Sequence, residues 1–154
     1  MPMIKIDWKR PDKHGSAADF LRDVIAAGWA KTRADAEKVA RTKIPAESSY
    51  QAKIKKYIMK RCEQEHLHCV AWKNAAGMYS TGGVSDLTFL IGNGEVCIPM
   101  MVEVKRPVIG TDASDLQVQF IRQVNEAGGV AGVAVYEEDA DKLITDVLNK
   151  LRRN

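Results

Sequence analysis

Asp86, Glu103 and Lys105 are the residues best placed to do chemistry. The runs 86–91 (DLTFLI) and 96–105 (VCIPMMVEVK) are apolar and rich in β-branched side chains, with Gly92-Asn93-Gly94-Glu95 between them. Asn-Gly between two such runs is a strong hairpin signal. A two-residue turn at Asn93-Gly94 pairs Gly92 with Glu95 and sets Asp86 opposite Met101. Side chains alternate faces, so Asp86, Met101, Glu103 and Lys105 share one face while Val102 and Val104 enter a core. Glu103 and Lys105 then stand roughly 7 Å apart along the strand. Two carboxylates this close repel, and one takes up a proton more readily unless a cation sits between them. Oxygen ligands with open positions suit Mg²⁺ or Mn²⁺, which bind one or two carboxylates together with water and substrate phosphate. A neighbouring lysine could orient or deprotonate a water, or neutralise charge on a phosphoryl centre. Glu-X-Lys alone is common on solvated strand faces. Asp86 on the same face, across a hairpin, lifts this one above that background.

The elements around the hairpin read in order. Residues 1–16 form an irregular or extended lead-in with Pro2, Pro11 and Gly15. A helix over 17–27 carries Phe20, Leu21, Val24 and Ile25 at helical spacing and ends at Gly28. Thr32 is an N-cap for a second helix to about Lys43, ahead of Pro45. Together they make a helical hairpin bearing Lys31, Arg33, Lys38, Arg41 and Lys43, either a packing element or an arm for DNA or a second subunit. A longer helix over 46–65 has Tyr50, Ile54, Tyr57 and Ile58 as its apolar stripe, and Glu47 and Gln51 extend that stripe. An acid in a first turn also suits the helix dipole, so Glu47 has two explanations. Residues 68–73 form a strand. Cys62, His66, His68 and Cys69 are zinc-ligand types, but the cluster is local and lacks a second ligand pair. The small-residue loop 74–85 leads into Asp86, and Gly82-Gly83 permits close approach of a ligand such as a phosphate backbone, or is simply a flexible connection.

After the hairpin, Arg106-Pro107 ends the strand. Ser114-Asp115-Leu116-Gln117 matches a capping box, in which Gln117 reaches back to the cap backbone. The helix that follows runs to Ala127, with Leu116, Phe120, Val124 and Ala127 predicted to be buried, and stops at Gly128-Gly129. The apolar run 130–136 resembles a strand covered on both faces. Strand, helix and strand over 96–136 make a parallel crossover unit, expected to be right-handed. A last helix over 138–152 carries Leu143, Ile144, Val147, Leu148 and Leu151, with acids first and bases last.

Bulk composition bounds the possibilities. At 154 residues, 45% hydrophobic and 28% charged, the chain matches a globular domain with a small helical appendage. No apolar run approaches membrane-spanning length, and the first residues lack the apolar segment of a signal peptide. Three cysteines without framework spacing fit a reducing compartment. A net charge of +3, from 23 basic and 20 acidic residues, neither demands nor excludes a nucleic-acid partner.

The ordered set of Glu47 on a helix, Gly-Val-Ser-Asp86, Glu103-Val-Lys105-Arg-Pro, and Ser-Asp-Leu-Gln117 on a helix ending in Ala-Gly-Gly resembles the VRR-Nuc (virus-type replication-repair nuclease) branch of the PD-(D/E)XK nuclease superfamily. The resemblance covers about residue 46 to the C-terminus. It implies an α/β fold with a central mixed sheet flanked by helices over 46–154, preceded by an N-terminal extension with a helical hairpin over 1–45. It implies a metal-dependent structure-specific DNA endonuclease that resolves Holliday (four-way) junctions as a homodimer, with Mg²⁺ or Mn²⁺ as cofactor. By the same resemblance, Asp86, Glu103 and the backbone carbonyl of Val104 ligate the metal, and Glu47 joins them directly or through water. Lys105 positions the attacking water, and Gln117 orients Lys105 or a water, in competition with its capping-box role. Lys53, Lys73 and Arg106 are the basic residues expected to meet DNA phosphate. The family usually has Pro before the aspartate where this chain has Ser85, which leaves the chemistry intact and the loop geometry open. Stand-alone members are small and often phage-encoded; the expected location is cytoplasmic (the bacterial host's cytoplasm if the chain is phage-encoded), with no membrane partner. A non-catalytic DNA-binding or assembly module with the same fold, or a nuclease acting on flaps, DNA ends or RNA, are the competing readings. The sequence shows no aromatic stacking platform that would mark a single-strand reader.

Overall fold

Side-chain caps set the helix starts. Ser16 and Asp19 exchange bonds in a capping box that opens α1 (Ala17–Ala26), and Thr32 accepts from the Asp35 amide to open α2 (Arg33–Lys43). The computed structural model describes residues 3–75, 82–110 and 112–154. Six residues of the 74–85 loop, 76–81, lie outside that range. Among the described residues the remaining elements are a 3₁₀ turn (Pro11–His14) within the otherwise irregular lead-in, α3 (Glu47–Gln64), β1 (His68–Lys73), β2 (Leu87–Gly92), β3 (Cys97–Val104), α4 (Asp115–Glu126), β4 (Val130–Ala134) and α5 (Glu137–Arg153). The fold is thus mixed α/β. None of these helices is long and apolar enough to cross a membrane.

The chain divides into two compact units. The first is Met1–Glu47 with Arg106–Thr111, and the second is Ser48–Lys105 with Asp112–Asn154. In the first, Phe20, Leu21 and Val24 of α1 are buried, as are Ala36 and Ala40 of α2, whose small side chains let the two helices approach. Trp8 meets Phe20 and Trp29 edge-on at ring-centroid distances of 5.8 and 5.6 Å. Arg106 closes this unit. Its Nε donates to the Pro45 carbonyl at 3.0 Å, and its Nη2 donates to the Arg41 and Ile44 carbonyls at 2.9 and 2.7 Å. These oxygens lie at and beyond the end of α2, where helical partners run out. The planar fork of arginine suits this task, and the single ammonium of lysine does not. Arg106→Lys is therefore expected to cost about 2 kcal/mol, read as a lower urea midpoint for loss of helical signal. Just beyond, Val108 takes φ +64°, uncommon for a β-branched residue, and the Ile109 amide bonds to the Pro107 carbonyl across it.

The second unit is a four-stranded open sheet in the order β1-β2-β3-β4. The β1–β2 and β2–β3 pairs are antiparallel, while β3 and β4 are parallel through the α4 crossover. Leu87, Phe89, Ile91, Met100, Val102 and Val104 alternate inward on one face and are buried, and α5 covers that face with Ile144, Val147 and Leu148. Each such side chain contributes about 1.5–3 kcal/mol. A Cβ on Gly132 would sit 2.8 Å from Leu143 of α5, so the glycine lets that helix approach β4.

Three expectations are corrected here. The hairpin pairs Gly92 with Cys97 and Thr88 with Met101, a register displaced by two residues from that of a two-residue turn. The cause is Asn93, whose side-chain oxygen accepts from the Glu95 and Val96 amides at 2.9 Å each and builds a longer loop than an Asn-Gly turn. A displacement of two preserves every side chain's face, whereas a displacement of one would have reversed them all. Second, no residue of α4 is buried: Leu116 is 58% and Val118 53% exposed, Phe120 and Val124 are half-buried, and Ala127 is exposed. Among the described residues that helix packs on β3 and β4, at the margin of the sheet. Third, β4 spans only Val130–Ala134 and is an edge strand: α4 and α5 pack on its two faces as expected and Val130, Ala131 and Ala134 are buried, but Val133 remains 38% exposed.

Candidate metal centre

The observed register brings the acids closer than the sequence implied. One step past the last β2–β3 pair, Leu87 with Val102, Asp86 comes opposite Glu103 instead of Met101. Asp86 is held by its Oδ2, which accepts from the Val104 amide at 2.8 Å. Glu103 is only 2% exposed. Its Oε1 accepts from Gln117 Nε2 at 2.7 Å and lies 3.5 Å from Lys105 Nζ. Its Oε2 is buried and has no hydrogen-bond partner. Burial, reinforced by repulsion from the Asp86 carboxylate and opposed by Lys105, pushes the Glu103 carboxyl up to about 7. Lys105 is anchored through its own amide, which donates to the Ala134 carbonyl at 3.0 Å and so continues the pairing with β4.

A buried carboxylate with one oxygen unpaired, opposite a second carboxylate, is costly unless something positive completes it. This donor set fits a hard divalent cation. Among the described residues no three His, Cys, Asp or Glu side chains gather at one point. A cation held here would therefore take two carboxylates and leave its other positions to main-chain oxygen, water and substrate.

Gln117 does both things that the sequence set in competition. Its Oε1 accepts from the Ser114 amide at 2.8 Å, completing the capping box, while its Nε2 donates to Glu103. The two ends of one amide divide the work. Gln117→Glu keeps an acceptor for the cap but loses the donor and places a third acid against the pair. The variant is expected to keep its helical signal and to bind Mn²⁺ at least tenfold differently from the parent at pH 7, as measured by calorimetry.

Compared with known proteins, the chain matches no family model, no curated protein and no solved structure.

The other candidate residues fall as follows. Glu47 is the first residue of α3 and half-buried, and Gln51, one turn on, is buried. A ligand role for Glu47 rests on the family resemblance. Val104 is the last residue of β3, between Glu103 and Lys105, and its amide holds Asp86. Lys53 and Lys73 are exposed on α3 and at the end of β1. Arg106 spends three bonds on carbonyls, a structural duty the sequence did not suggest. Ser85, where the family has proline, is 1% exposed, and its hydroxyl has no partner. Gly83 is needed for a contact within the chain: it has φ +84°, and a Cβ there would lie 2.5 Å from the Leu116 carbonyl oxygen. Cys62 and Cys69 meet as a thiol pair in which the hydrogen bond to Cys69, with burial, raises the Cys62 pKa.

Sequence reasoning passed over Asn74. Its amide nitrogen donates to the Ser85 carbonyl at 2.8 Å and Thr88 Oγ1 at 2.7 Å, and its main-chain N–H donates to the Asp86 carbonyl at 2.8 Å. It fixes the backbone on both sides of Asp86. Only the β1–β2 register could have revealed that.

Proposed function

We propose that this chain is a divalent-metal-dependent endodeoxyribonuclease with a PD-(D/E)XK core of the VRR-Nuc kind, acting on branched DNA such as four-way junctions. The observation that carries this reading is the buried Glu103 carboxylate opposite Asp86 on the hairpin, with one oxygen bound by Gln117 and Lys105 and the other without a partner. Asp86 and Glu103, with the Val104 carbonyl, would hold Mg²⁺ or Mn²⁺. The ion supplies charge neutralisation at the scissile phosphate and a more acidic water. The chain's residues supply the rest. Asp86 is oriented by the Val104 amide before any ligand arrives, so little reorganisation accompanies binding. Gln117 holds Glu103 Oε1 through its Nε2 and so fixes the carboxylate's orientation. Lys105 stands where it can orient the attacking water or offset negative charge on the phosphate. One such centre cuts one strand, so symmetrical cuts across a junction call for two subunits, and we assign the active form as a homodimer.

A cleavage panel tests this: four-way junction, flap, linear duplex and single strand, each with Mg²⁺, Mn²⁺ or EDTA. Nicking of branched substrates that needs metal and stops with EDTA is the expected result. A wild-type protein that leaves all four intact with both metals overturns the assignment.

A further inference from the structure

Trp72 is the one large aromatic of β1, and it is 41% exposed. It lies opposite Thr88, so it shares the face of the sheet that carries Asp86 and Glu103. Asp86 stands two residues from Thr88 along β2, which puts Trp72 on the diagonal from it, about 7–8 Å away between backbones. That spacing is close to one nucleotide step along an unstacked strand. The ring is not free to swing. Its Nε1 donates to Asn74 Oδ1 at 3.0 Å, and the amide nitrogen of the same Asn74 is bound to the Ser85 carbonyl and the Thr88 hydroxyl. The indole is therefore tied to the segment that delivers Asp86, and with its only donor occupied, what it offers a ligand is its π-face. Val70 and Leu90, paired across β1 and β2, are 58% and 36% exposed and extend the apolar margin beside it.

We propose that Trp72 is a stacking platform for an unpaired nucleobase adjoining the phosphodiester held at Asp86 and Glu103, so that the enzyme selects DNA with an unstacked nucleotide at the cut. This rests on the nuclease reading and adds to it the feature of DNA that is recognised. Fully paired duplex keeps its bases inside the stack and cannot use the platform, whereas a flap exposes them. At a junction point stacking is interrupted, so that a base can be released at lower cost. Stacking of a base on an exposed aromatic is sequence-tolerant, so the selectivity is for structure. A ring fixed beforehand by Asn74 loses little freedom when the base arrives.

The test compares binding of a duplex with a short thymine flap to the same duplex with abasic residues in the flap, by fluorescence anisotropy in EDTA so that nothing is cut. Wild type is expected to prefer the thymine flap by about tenfold or more. Trp72→Ala should bind both flaps at the abasic level, and Trp72→Phe should recover much of the preference, with circular dichroism confirming that both variants are folded. Persistence of the full preference in Trp72→Ala overturns the stacking role and leaves the nuclease reading standing. Failure of wild type to bind any of these DNAs removes both. Loss of a dimer in sedimentation with Trp72→Ala, at unchanged flap preference, overturns the proposal in favour of a subunit contact.

Discussion

Replacing Glu103 by glutamine is expected to lower metal-dependent nicking by on the order of a thousandfold and, at the same time, to make the metal-free protein more stable above pH 7. The two effects share one cause. The carboxyl has its pKa raised from the usual 4.5 to about 7 because it is buried beside Asp86. Below pH 4.5 the folded and unfolded chains both carry the proton, and the shift costs nothing. Between 4.5 and about 7 the unfolded chain ionises first, so stability falls as pH rises. Above 7 the full penalty remains, on the order of 3 kcal/mol. Glutamine has nearly the same shape and carries no charge, so neither burial nor the Asp86 carboxylate opposes it. Thermal melts in EDTA at pH 5 and pH 8 check this: the wild-type Tm should fall between them and that of Glu103→Gln should not. A Glu103→Gln protein less stable than wild type at pH 8 would mean that the ion pair with Lys105 outweighs burial.

Metal affinity should carry the same signature with opposite consequence. A proton on the Asp86–Glu103 pair must leave before a cation can use both carboxylates. Mn²⁺ affinity is thus expected to rise nearly tenfold per pH unit between about 5 and 7 and to level off above, following the group that titrates at about 7. Calorimetry at pH 5.5, 6.5, 7.5 and 8.5 reads the slope directly. Repeating the pH 6.5 titration in two buffers of different ionisation heat should show close to one proton released per ion. Affinity that stays flat over the whole range would show that Glu103 is not a ligand.

Much of this was legible because periodicity and capping are local. β1 has the bounds expected of residues 68–73, and the cap residues Thr32 and Ser114 open the helices foreseen for them. The shared face of Asp86, Glu103 and Lys105 also followed from the sequence, because a strand's alternation survives any even error in register. What could not be read is what depends on a side chain folding back on its own loop, or on the layer beyond an element. Asn93 lengthened the turn by bonding to two amides, a choice a dipeptide rule does not encode. The apolar stripe of α4 implied burial, yet its location at the sheet margin left Leu116 and Val118 exposed. Arg106 resembled a phosphate contact only until the carbonyls at the end of α2 came within its reach. Trp72 offers the aromatic face that composition alone did not reveal, and its prominence depends on β1 being an edge strand.

The single amide of Gln117 has a practical consequence. Whatever alters the charge on Glu103 changes the pull on that amide's nitrogen, and its oxygen holds the Ser114 N–H at the protein surface. Filling or emptying the buried pocket of charge is thereby transmitted to a solvent-facing proton. The ¹⁵N resonance of Ser114 becomes a natural gauge of occupancy, readable without attaching a probe anywhere near the carboxylates.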